Sequence, residues 1–359
     1  MNRYLPEKIY SLDVLRGLAA LSVVFWHWQH FFYIGDKPSN FIVDKQPLYN
    51  YLYIFYLHGD LAVELFFCIS GFIFYWLYSK KIAERKIGMV EFSLNRLSRL
   101  YPLYILTFLC VAALQLLYIK SHNSYFVYQI NNTFHALLNI LMIPAWGMED
   151  GWSFNAPVWS VSIEIMLYTI FFITCLFGKL RYFSIPFFVL SGFYIFQFNY
   201  KIGIGLFSFF CGATAFTVTD KLINKLNRGL CITIASSCLL VSWGLIFYFH
   251  THNAFIVTAF GFTSLILFLA FISCENENFL KKINWVGNLS YSSYLIHFPL
   301  QIVFALTIDI FGLDRRVFYS PISLISFMLL LILLSMASHK FYEMPAQRII
   351  RGLISKKSN

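Results

Sequence analysis

The 359-residue chain is 59% hydrophobic and 20% aromatic but only 12% charged. A typical soluble domain is about 25% charged, so this inventory cannot cover a water-facing surface. The net charge of +10 is assigned to cytoplasmic loops, which collect Lys and Arg, and not to nucleic-acid binding.

A mean hydropathy of +0.66 comes in long apolar runs, without the ten-residue alternation of a transmembrane barrel. The fold class is therefore all-α, polytopic and integral to a membrane. Runs of about 20 residues predict ten spans, near 12–33, 57–79, 100–119, 157–178, 182–199, 203–219, 230–250, 253–273, 288–311 and 320–341. An eleventh run, "FHALLNILMIP" at 134–144, is too short to cross and reads as a re-entrant or interfacial helix. The first run is too long for a signal-peptide core and no small-x-small site follows it, so it is expected to stay as the first span.

With the N-terminus in the cytoplasm, the outer segments hold only Lys37, Lys45, Lys120, Lys201, Arg315 and Arg316 of the 27 Lys and Arg. The rest, from Arg3 to Lys356 and Lys357, fall inside. This asymmetry favours ten spans with both termini cytoplasmic. No internal repeat, linker or soluble segment is visible, so residues 1–359 are expected to form one membrane domain. The cysteines (Cys68, Cys110, Cys175, Cys211, Cys231, Cys238, Cys274) are scattered without a CxxC pair and read as small packing residues.

Ionisable groups at membrane depth are functional candidates, because lipid penalises them by several kcal/mol. The first run, "LDVLRGLAALSVVFWHWQHFF", carries Arg16 and, eleven residues on, His27. On a uniform α-helix that spacing is about 16 Å and nearly three turns, so the two share a face. Either Arg16 snorkels to phosphates and His27 is a hydrogen-bonded core residue, or the pair is chemical. His30 completes an HxxH pair, but no carboxylate or Cys stands beside it, so no metal site is expected.

The second span opens "HGDLAVELFFCISGF". Asp60 and Glu64 are spaced i, i+4, and Ser70-Gly71 is a small step suited to helix packing or to a ligand's approach. "NRLSRLYP" puts Arg96 and Arg99 three apart, a spacing that suits phosphates of lipid or of a nucleotide-type cofactor. "NAPVWSVSIEIMLY" carries Trp159, Ser160 and Glu164, and a carboxylate at that depth is suited to orient an imidazole such as His27. "LSYSSYLIHFPL" places His297 in the ninth span. "FYEMP" places Glu343 at the exit of the tenth, where it would neutralise Arg16 or the Arg96/Arg99 pair.

These segments, in this order, resemble membrane-bound acyltransferase family 3. Arg16 and His27 match its opening basic residue and histidine. "LAVELFFCISGF", "NRLSRLYP", "PVWSVSIEIMLY", "LSYSSYLIHFPL" and "FYEMP" are similar to its later signatures. The resemblance covers nearly the whole chain. It implies ten core spans and transfer of an acyl group, most often acetyl, from acyl-CoA to a hydroxyl, with no permanently bound cofactor. Its acceptors are bacterial surface glycans (O-antigen, capsule, exopolysaccharide, free or lipid-linked), or small molecules such as macrolides. It implies a bacterial cytoplasmic (inner) membrane location among membrane lipid.

Some members carry an SGNH hydrolase-like extracytoplasmic domain; none is expected within this chain, so such a partner would be a separate protein. On this resemblance His27, Arg16 and Glu164 are catalytic candidates, with His27 either a general base or an acyl-carrying nucleophile. Arg96, Arg99, Ser70 and Gly71 are donor-binding candidates. Glu64, Asp60, His297, Glu343, Trp159 and Ser160 are supporting. The competing reading is a proton-coupled small-solute transporter relaying through His27, Glu64, Glu164 and His297; another is a non-catalytic export partner.

Overall fold

The computed structural model describes residue 5 and residues 8–273 and 277–355. Arg3, Lys356 and Lys357 of the topology argument, and Cys274, lie outside the described residues. Helices of eight residues or more are, in chain order, α1 (Tyr10–Trp26), α2 (Tyr49–His58), α3 (Ala62–Leu77), α4 (Met89–His122), α5 (Thr133–Ile140), α6 (Trp159–Leu176) and α7 (Ser184–Ile195). They continue with α8 (Tyr200–Lys225), α9 (Arg228–Tyr248), α10 (Thr263–Ile272), α11 (Ser290–Ile310), α12 (Pro321–Ser338) and α13 (Met344–Ser355). The chain is a helical multi-pass membrane protein. Among the described residues, eight helices are long and apolar enough to cross a bilayer, where ten spans were expected.

Two predicted spans are shorter than their apolar runs. The first, 12–33, is α-helical only to Trp26, and His27–Phe32 tightens into a 3-10 helix. The run at 182–199 yields only the twelve residues of α7, about 18 Å long. Gly178, at φ +62°, breaks the chain before it. Asn199 then caps the next helix, its Oδ1 accepting from Ile202 N–H at 3.1 Å. The 134–144 run holds the eight-residue α5, too short to cross.

The described residues divide into two compact units. One comprises the chain to Ala19, Leu61–Met89 and Ile163–Asn288; the other comprises Ala20–Asp60, Val90–Ser162 and Leu289 onward.

The first unit is organised by the crossing of α3 on α8. A Cβ added to Gly71 would lie 1.8 Å from the Phe209 carbonyl oxygen, and one added to Gly212 would lie 1.8 Å from that of Cys68. Two helix backbones are thus in direct contact, which small residues allow in lipid-embedded bundles. Gly71 packs at this crossing.

The second unit is built around the 3-10 segment. Three residues per turn eclipse i and i+3, so "HWQHFF" brings His27 to His30 and Trp28 edge-on to Phe31; the ring centroids lie 4.6 and 4.9 Å apart. The aromatic pair anchors the segment. Phe31 stacks on Phe318 at 3.8 Å, Trp28 Nε1 donates to the Phe318 carbonyl at 2.9 Å, and both rings pack edge-on against Phe327. These contacts fix the imidazoles on a neighbouring face.

Candidate active site

Three histidines and a glutamine form a buried polar cluster in the second unit. His27 is 6% exposed, His30 3%, and His297 and Gln301 are fully buried. Residues 297 and 301 are i, i+4 on α11 and share a face. Gln301 Nε2 donates to the His27 carbonyl at 2.8 Å, leaving its Oε1 to meet His30 Nδ1 at 3.1 Å. The Tyr128 hydroxyl lies 3.5 Å from His30 Nε2. His30 is therefore used at both nitrogens.

The His27–His297 contact has a direction. His297 Nδ1 lies 2.7 Å from the Tyr294 carbonyl, an acceptor only, so that nitrogen carries the hydrogen. In a neutral ring Nε2 then holds a lone pair. His27 Nδ1, 3.2 Å from that Nε2, must be the donor. The remaining basic atom is His27 Nε2, and the rings stack at 5.0 Å and 24°. This tautomer follows from the hydrogen-bond network.

The wall behind His297 depends on a proline. Pro299 lies inside α11 and has no N–H, so the Leu295 carbonyl four residues earlier loses its helical donor. The Asn155 amide supplies one, from Nδ2 at 3.1 Å. Tyr294, whose carbonyl holds His297, is tied through its hydroxyl to the Pro157 carbonyl and to Ser160 Oγ at 2.9 Å. Ser160 is thus a positioning residue. Trp159 beside it is half-buried and packs 6.3 Å from Trp152.

Glu164 was expected to orient His27; within the second unit the ring partner of His27 is His297. Glu164 belongs to the first unit, and its Oε1 accepts from Ser70 Oγ at 3.0 Å and from the Tyr168 hydroxyl. Ser70 is thereby committed to a carboxylate. Asp60 and Glu64 do not share a uniform α-helix either. Asp60 lies exposed on a 3-10 turn, Gly59–Leu61, and Glu64 sits half-buried in the first turn of α3. Arg16 is half-buried on the part of α1 that belongs to the first unit.

Arg96 is half-buried and Arg99 exposed on α4. Ser98 between them hydrogen-bonds Arg351 Nε of α13 at 3.4 Å, a third guanidinium that the sequence reading missed. The same stretch is pinned by Tyr291 to the Leu100 carbonyl at 2.5 Å and by Tyr342 to the Pro102 carbonyl at 3.1 Å. Glu343, expected to neutralise arginines, accepts from Ser292 and from Ser338 Oγ at 3.3 Å. His339 Nδ1 lies 3.8 Å from it. Hydroxyls and an imidazole hold this carboxylate. Among the described residues, no group of three or more His, Cys, Asp or Glu is arranged to hold a metal ion.

The geometry is that of a buried imidazole cluster in a multi-pass helical protein, and comparison with known proteins supplies the class. A family model described as an acyltransferase domain matches residues 9–339, so the chain belongs to acyltransferase family 3. It is 36% identical over 113 residues to Protein 2 in picA locus of Rhizobium radiobacter, covering 32% of this chain and 49% of that protein. It is 28% identical over 173 residues to Acyltransferase MdmB of Streptomyces mycarofaciens, covering 46% of this chain and 40% of that one. The chain thus matches less than half the length of each of these relatives. No solved structure matches it at a significant level.

Proposed function

We propose that the protein is a membrane acyltransferase moving an acyl group, acetyl in the first instance, from acyl-CoA to a hydroxyl of a surface glycan. A bacterial cytoplasmic membrane is the proposed location. The observation that carries the reading is the directed pair of buried imidazoles, which leaves His27 Nε2 as a base with its other nitrogen already committed.

In this mechanism His27 Nε2 takes the proton of the acceptor hydroxyl as its oxygen attacks the thioester carbonyl carbon. The C–O bond forms and the C–S bond breaks. The CoA thiolate leaves and receives the proton back from the imidazolium, giving ester and free thiol. His297 accepts the His27 Nδ1–H bond and stabilises the positive charge during the step, as the third member of a catalytic triad does. Direct transfer is preferred to an acyl-histidine relay, because one base suffices when both substrates meet at the ring. Arg96 and Arg99, with Arg351 beside them, suit the phosphates of the donor head.

The test is transfer of radiolabel from acetyl-CoA to extracted glycan in membranes holding wild type or His27→Ala. Label in glycan with wild type alone is expected. Equal labelling by both would remove His27 from the chemistry. Wild-type protein that neither binds nor uses any acyl-CoA, yet takes up a solute, would return the chain to the transporter reading.

A further inference from the structure

Asn155 is 1% exposed, and the two ends of its amide have different fates. Nδ2 serves the Leu295 carbonyl that Pro299 leaves without a donor. That bond fixes the orientation of the amide and turns Oδ1 the other way. Among the described residues, Oδ1 is buried with no hydrogen-bond partner. An amide oxygen in that state is costly, and native proteins rarely leave one without a donor.

Asn155 lines a small cleft with Asn139, Ser153, Trp152 and Trp159. Counting the part open to solvent, the empty volume is about 220 Å³, while the enclosed part has room for roughly one water molecule. A space of that size beside a buried orphan acceptor admits a hydroxyl, and little else. The Asn139 amide is already engaged at both ends: its Oδ1 takes the Tyr104 hydroxyl at 3.3 Å, and its Nδ2 serves the His135 carbonyl at 2.8 Å and Ser153 Oγ at 3.3 Å. The rim is indole. Trp152 is 36% exposed and meets Trp159 at 66°.

The cleft is coupled to the imidazoles by two routes. Asn155 grips α11 two residues before His297. A line of rings also runs from His30 to Tyr128 at 5.7 Å and on to Trp152 at 6.5 Å.

We propose that this cleft is a subsite for a pyranose ring of the acceptor, with one non-reacting sugar hydroxyl donating to Asn155 Oδ1 and the apolar face of the ring lying against Trp152 and Trp159. The assignment rests on the glycan-acceptor reading above. Flat aromatic surface beside a few fixed polar atoms recognises an amphipathic ring bearing hydroxyls, and an amide oxygen without a partner selects a donor.

Purified full-length protein would be examined by saturation-transfer NMR with the methyl glycosides of glucose, galactose, rhamnose and N-acetylglucosamine, with acetyl-CoA binding measured in parallel. Transfer to the ring protons of at least one glycoside is expected. Trp152→Ala, a change at a partly exposed position, weakens that glycoside about 10-fold with acetyl-CoA binding unchanged, and Trp152→Phe restores part of the loss. Of the monodeoxy analogues of the bound glycoside, one loses at least about 10-fold.

If no glycoside binds, the cleft holds water only and the proposal is overturned, whatever the donor does. Binding that survives Trp152→Ala unchanged overturns it as well. A protein that binds a glycoside but no acyl-CoA keeps the subsite and loses the transferase reading.

Discussion

A carboxylate in the first compact unit and an imidazole cluster in the second both lie in apolar surroundings, and the two are finished differently. In the first, the Glu164 carboxylate is met by the hydroxyls of Ser70 and Tyr168. In the second, the imidazoles of His27, His30 and His297 are met by a glutamine, a tyrosine and a main-chain carbonyl. Hydroxyl donors satisfy a carboxylate without aiming it at any further group. An imidazole has two nitrogens of opposite role, so fixing one aims the other. The lesson is that depth in the membrane marks an ionisable group as expensive, but its partners decide whether it is poised for chemistry.

The contrast can be broken at its active end first. On the proposed mechanism His27→Ala removes the base, and acyl transfer from labelled acetyl-CoA is then expected to fall by about 10²–10⁴-fold, the usual worth of general base catalysis. His297→Gln keeps the fold of α11 but degrades the acceptor for His27 Nδ1–H. A fall of about 10–100-fold is expected, with a displaced pH–rate profile. An unshifted profile would make His297 a packing residue.

Gly71→Ala tests the framework of the first unit. Its Cβ would meet the Phe209 carbonyl oxygen at 1.8 Å, and thermal unfolding in detergent is expected to show a loss of about 1–3 kcal/mol. Glu164→Gln is expected to have the smallest effect. It retains an acceptor for Ser70 and Tyr168, costs about 1 kcal/mol of stability, and leaves transfer within about threefold. A 100-fold loss with a moved pH profile would instead give Glu164 the role its sequence position suggested, and would erase the distinction between the two clusters.

Several parts of the candidate site were legible in the chain. His27 and His297 stood out as titratable groups in apolar runs, and Arg96 and Arg99 as a pair at helical spacing. Gln301 carried a readable signal that went unused: a polar residue i+4 from His297 in an otherwise apolar span. The doubled i, i+3 pattern of "HWQHFF" likewise foreshadowed the 3-10 turn. Asn155, Tyr128 and Arg351 carried no such signal, because each acts through a partner between 98 and 253 residues away in sequence.

Composition and run length, by themselves, determined that this chain is a helical membrane protein, since lipid demands that backbone groups be satisfied within each segment. The order of its short polar motifs determined the family. Tertiary structure decided who meets whom. It gave His27 the imidazole of His297 as a partner, met Glu164 with hydroxyls and Glu343 with hydroxyls and an imidazole, and turned Pro299 into the reason Asn155 faces as it does. Hydrogen-bond partners are chosen by three-dimensional proximity between segments remote in sequence, and local spacing carries no record of that choice.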